Sequence, residues 1–144
     1  MIYTRADRTT NGTINQAALE IIAGARGCYL RALSLTLNAA TASVFGIGRP
    51  AAAGITPTTP AALQSQGVAG DVSMARIALA WGTSPTAPTY YHGRVSLAAA
   101  VGAAWTWPSN AGQIQKIWIP PTTTLVLFNI TATSVADVSI EIEE

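Results

Sequence analysis

Side chains able to do chemistry are scarce in this 144-residue sequence, and their spacing does not compose a catalytic set. His92 is the single histidine and stands in Tyr90-Tyr91-His92-Gly93. An imidazole base or a histidine-rich metal site would therefore rest on it alone, and a strand-rim histidine with a polar partner is expected. Cys28 is the single cysteine, which rules out an intrachain disulfide and a four-cysteine zinc site. A nucleophilic thiolate would need His92 beside it in space; Cys28 is expected instead as a small buried apolar residue. The carboxylates are Asp7, Glu20, Asp71, Asp137, Glu141, Glu143 and Glu144, and no two are spaced as a cleft pair for acid–base work. Lys116 is the only lysine, so no phosphate-cradling Gly-Lys-Ser/Thr loop exists. The expectation is a chain that is not an enzyme, with no catalytic residue, no cofactor and no metal.

Binding is better supplied. Arg31 shares strand parity with Leu33, Leu35 and Leu37, an odd place for a guanidinium. Either a bulge turns it outward, or it crosses an interface to meet a carboxylate, a task suited to its planar fork. Trp105 and Trp107 flank Thr106 and so point the same way on a strand. With Tyr90 and Tyr91 they could form a stacking platform for a sugar, or anchor a subunit contact as aromatic residues often do.

These residues must be held by strands, because hydrophobic periodicity is close to two along most of the chain. Residues 28–38 alternate most cleanly, with Leu33, Leu35 and Leu37 opposite Ser34, Thr36 and Asn38. Further strands are expected at 14–23, 42–49, 73–82, 90–100, 104–107, 114–119, 124–133 and 135–143, with a turn over 108–112. Within 73–82, Ile77, Leu79 and Trp81 share a face. The strand at 124–133 is apolar on both faces, Leu125 and Leu127 on one, Val126, Phe128 and Ile130 on the other. Such a strand must be covered twice, once by the core and once by something else. Residues 1–12 are polar and turn-rich and are expected as an N-terminal arm. Residues 50–71 dissolve into Ala, Gly, Thr and Pro and predict a long loop lying over a neighbour or over the chain's own body. Eight to nine antiparallel strands in residues 13–144 predict a single all-β domain, a two-sheet β-sandwich of jelly-roll type.

Composition narrows the function further. Charged residues make up 10% of the chain and hydrophobic ones 49%, with a formal net charge of +1. Disordered chains need the opposite balance. The near-neutral charge offers no general pull toward nucleic acid or anionic lipid. Apolar runs are shorter than the roughly 20 residues of a spanning helix, and the first residues lack a secretory apolar core. No nucleic acid and no membrane are expected as partners. A surface made of Ala, Thr, Ser, Gly and Pro suits lasting contact with other protein.

The stretch Gly27-Cys-Tyr-Leu-Arg-Ala-Leu-Ser-Leu-Thr-Leu-Asn-Ala-Ala-Thr, followed by Phe45-Gly-Ile-Gly-Arg-Pro-Ala-Ala-Ala-Gly, resembles small structural proteins of tailed bacteriophages. Ala80-Trp-Gly-Thr-Ser-Pro-Thr, Trp105-Thr-Trp-Pro and Val135-Ala-Asp-Val-Ser-Ile-Glu-Ile-Glu extend the likeness over most of the chain from Leu19. Within that group it resembles the jelly-roll capsid decoration, or cement, proteins. The resemblance implies a homotrimer made in the host cytoplasm and seated on the outer capsid surface of the virion, bridging copies of the major capsid protein. On that expectation Arg31, Val126, Phe128 and Ile130 are the oligomer face, and Tyr3, Arg5 and Arg8 on the arm contact the capsid. The alternative is a jelly-roll carbohydrate- or receptor-binding module of a phage tail or head fibre, using Tyr90, Tyr91, Trp105 and Trp107.

Overall fold

The computed structural model describes residues 1–58, 60–108, 115–131 and 134–144. Every regular element among them is a β-strand: β1 Ile2–Arg8, β2 Gln16–Ile22, β3 Cys28–Leu37, β4 Ser43–Pro50, β5 Ile55–Pro57, β6 Ala61–Ser65, β7 Val72–Ala78, β8 Trp81–Thr83, β9 Pro88–Leu97, β10 Ala104–Trp107, β11 Ile117–Ile119, β12 Thr124–Asn129 and β13 Ala136–Glu143. The expected turn beyond Pro108, the start of the 114–119 strand and the end of the 124–133 strand lie outside the described residues.

All pairings are antiparallel. One large sheet runs in the order β10-β3-β13-β1-β6-β7-β2-β12-β4-β9, with β11 added along β3, and β5-β8 forms a small second sheet. Hydrogen bonding is continuous where two separate sheets were expected, because the β6–β7 hairpin bridges β1 to β2. The large sheet curls until its edge strands β9 and β10 nearly meet. At that seam a Cβ on Gly93 would stand 2.7 Å from Trp107 Cδ1 and 3.3 Å from Trp105 Cζ2, so only glycine lets the indoles pass beneath β9.

Alternation decides the core. Leu33, Leu35 and Leu37 of β3 and Val138, Ile140 and Ile142 of β13 are all at most 3% exposed and fill the interior with Leu19, Ile21, Phe45, Ile47, Leu125 and Leu127. Each such side chain contributes roughly 1.5–3 kcal/mol through burial.

Three expectations are corrected here. Residues 2–8 are not an arm: β1 pairs with β13 along its whole length and with β6 at Tyr3 and Thr4. Charge hid this strand, because Arg5 and Asp7 share the face of buried Tyr3, opposite Ile140 and Val138. Residues 50–71 contain β5 and β6, masked in the sequence by Pro57, by Pro60 and by small side chains. The strand expected at 73–82 ends at Ala78, and Trp81 belongs to β8, facing a different cluster from Ile77.

Candidate functional site

The doubly apolar strand β12 is covered twice by its own chain. Leu125 and Leu127 enter the main core, while Val126 and Phe128 form a second cluster with Ala17, roofed by Trp81, Tyr91 and Ile130. Gly46 lies opposite Phe128, and a Cβ there would meet the Tyr91 ring at 2.4 Å; its absence lets the ring lie flat on the sheet. Trp81 comes to this roof from the β5–β8 flap, Tyr91 from β9 and Ile130 from the end of β12. Buried Glu20 accepts hydrogen bonds from Trp81 Nε1 (2.6 Å) and Gly54 N (3.1 Å). Ser84 Oγ accepts from Ala17 N at 3.1 Å, and Ala52 N donates to Thr86 Oγ1 at 2.8 Å. Val126 and Phe128 are each 1% exposed, so the expected oligomer face is corrected to an internal one.

Arg31 is turned outward by a bulge, the first of its two readings. Glu141 pairs with Ala32 and Ile142 with Leu30, leaving Arg31 as the extra residue of β3. Its guanidinium meets Glu141 at 3.1 Å and Glu143 at 3.3 Å within the same chain, and Lys116 joins at Glu143. Lys116 holds the Glu143 carboxyl below its usual range. Beside this network Tyr29 and Trp118 stack obliquely, 4.6 Å between centroids, with Lys116 Nζ 5.7 Å from the Tyr29 ring. Solvent screens pairs as open to water as these, so they order the surface more than they stabilise the fold.

The residues expected to grip a capsid are engaged internally. Tyr3 is 8% exposed and its hydroxyl donates to Asp71 at 3.0 Å. Arg5 pairs with Asp7 and donates to the Ala62 carbonyl, bridging the gap where β6 leaves β1. Arg8 binds both oxygens of Asp137, at 2.6 and 3.0 Å, and that bond lowers the Asp137 pKa.

The four aromatics do not form one platform. Trp107 is buried in the main core and Trp105 leans on it. Tyr91 roofs the second cluster. Tyr90 alone stands out, 69% exposed, edge-on to His92 at 5.4 Å. His92 is the bulge residue of β9, between the Ile47–Gly93 and Gly48–Tyr91 pairs. Partial burial, with Arg49 nearby, lowers its pKa, so it is neutral at pH 7. Cys28 is buried as expected, and burial pushes its thiol up to about 12, far from a thiolate at neutral pH.

Two surfaces escaped the sequence reading. Met1, Val68, Val72 and Met74 are each 43–53% exposed around the β6–β7 hairpin and the joined chain ends. There Gln66 N donates to the Ile2 carbonyl, and Glu144 Oε2 and Oε1 accept from Met74 N and Ala75 N at 2.9 and 2.7 Å. The available signal was the alternation of Val72 and Met74 against Ser73, Ala75 and Ile77. The second surface is an open trough of about 690 Å³ across β1, β3, β10 and β13, floored by Thr4, Ala32, Ser34, Thr106 and Ser139 and edged by Glu141.

Among the described residues no three His, Cys, Asp or Glu are grouped to hold a metal ion, and no helix is long and apolar enough to cross a membrane. Comparison with family models, with curated proteins and with solved structures finds no match.

Proposed function

We propose that this chain is a structural protein of a tailed-phage virion, a decoration protein that binds the outer capsid surface as a trimer and stabilises the major capsid protein lattice. The observation that carries it is the apolar group of Met1, Val68, Val72 and Met74, about half exposed on a chain with 10% charged residues. Apolar patches on otherwise polar surroundings mark contact with other protein. The likeness of residues 27–41, 45–54, 80–86, 105–108 and 135–143 to phage structural proteins supplies the kind of partner.

Strand order supports a jelly roll as the finer description. The runs β10-β3-β13-β1 and β2-β12-β4-β9 correspond to the two four-stranded sheets of that architecture. In this scheme the β6–β7 hairpin is an insertion between the fourth and fifth strands of the roll, β4 and β9, and it carries the apolar group outward. A closed trimer multiplies a weak lattice contact through effective concentration, and binding only the assembled shell stabilises that shell by mass action.

Light scattering after size exclusion tests this directly. The expected mass is about three times the 14.9 kDa chain, persisting on dilution and lost in Met74→Asp or Val72→Asp. A monomer at every concentration refutes the trimer.

A further inference from the structure

The charge of this protein is distributed unevenly. Asp7, Asp137, Glu141 and Glu143 are paired with Arg5, Arg8, Arg31 and Lys116, all on β1, β3, β13 and the segment before β11. Glu20 is buried under the flap, Asp71 accepts from Tyr3, and Glu144 is held by backbone amides of β7. The β4–β9 side therefore has exposed Arg49, which donates to the Trp118 carbonyl through Nη2, together with Arg94 and His92, and among the described residues no carboxylate lines either cavity there.

Those two cavities share His92. One, about 140 Å³, is lined by Arg49, Thr89, Tyr90 and His92. The other, about 190 Å³, has Arg94 and the Trp105 and Trp107 indoles beside Gly93. Each thus combines one arginine with aromatic surface. Both are smaller than the roughly 300–1,000 Å³ of drug-sized sites, so each admits a single ring. Arginine recognises carboxylates through parallel hydrogen bonds, and an exposed aromatic ring offers the flat apolar face that a pyranose covers.

We propose that the β4–β9 edge is a binding site for a carboxylated oligosaccharide, one acidic sugar against Tyr90 and Arg49 and the next against Arg94. Two adjoining cavities of one design match a chain of repeating acidic rings better than they match a single anion. His92, neutral at pH 7, supplies a hydrogen-bonding group between them, while the two arginines provide the positive charge. This site lies apart from the Met1–Met74 surface, so its failure leaves the trimer proposal standing.

The test is titration of the full-length protein with trigalacturonate, a hyaluronan tetrasaccharide and sialyllactose, read by amide NMR shifts and calorimetry. The expected result is saturable binding of at least one, moving the Gly93 and His92 amides. Arg94→Ala and Tyr90→Ala, both surface changes, should each weaken it about tenfold or more, the scale of losing one charge-assisted or stacking contact. Galactotriose, which lacks the carboxylates, should bind at least about tenfold more weakly. Absence of binding to all three acidic sugars overturns the proposal. So does equal binding of galactotriose, of a hexaglutamate peptide (a docking surface for acidic protein), or of inorganic phosphate (a simple anion patch).

Discussion

Replacing Phe128 with alanine separates an internal second core from a subunit interface. Phe128 is 1% exposed, and its walls are Ala17, Val126, Tyr91, Ile130 and Trp81. Emptying a buried phenylalanine site costs about 3–5 kcal/mol. The roof here is built from half-buried side chains that can settle into the space, which favours the lower end, about 3 kcal/mol. Unfolding entropy of about 2.1 cal/mol/K per residue, over 144 residues, gives about 0.3 kcal/mol/K, hence a fall in Tm of about 10 °C. The assay is calorimetry of wild type and Phe128→Ala, with the solution mass of each measured by light scattering. Expected are a Tm lower by that amount and an unchanged mass, because the lost contacts are all within one chain. A variant that dissociates to monomer while keeping its Tm would refute the intrachain roof and return Phe128 to an interface. A fall of under about 0.5 kcal/mol, the scale of a surface change, would equally refute it.

Two further outcomes follow from the same geometry. Trp81→Phe keeps the aromatic cover but removes the donor to Glu20 Oε2, costing about 1.5–3 kcal/mol for a hydrogen bond to a charged group; limited proteolysis should cut residues 51–58 faster, and an unchanged rate would exclude Glu20 as the latch of the flap. Asp137 has a pKa depressed chiefly by the hydrogen bond from Arg8, so its contribution to stability is present above the ordinary aspartate value and is lost as pH falls through the lowered one. Carbon-13 titration should find its midpoint below 3.8 in wild type and back near 3.8 in Arg8→Ala, and identical midpoints would contradict the pairing.

Local pattern by itself determined the all-β class, the inward faces of β3 and β13, the burial of Cys28 and the need for β12 to be covered on both sides. Each follows from side-chain alternation and apolar content, which act over neighbouring residues. The outward turn of Arg31 was legible only as one of two choices, since its parity required either a bulge or a partner. Tertiary structure chose the bulge, because β13 supplies Glu141 and Glu143 from more than a hundred residues away. It also decided what covers Val126 and Phe128: Tyr91 of β9, Ile130, and Trp81 on a flap of small residues and prolines whose attachment depends on Glu20 meeting Trp81 and Gly54. No periodicity announces such a contact, because pairing across the chain is set by loop closure and packing rather than by adjacent residues. For the same reason β1 looked like a polar arm until Asp137, Ile140 and Ile142 were seen beside it. The four aromatics of the expected platform likewise parted, because the near-closed sheet places Trp105 and Trp107 inside its seam, Tyr91 over Gly46 and Tyr90 alone in solvent.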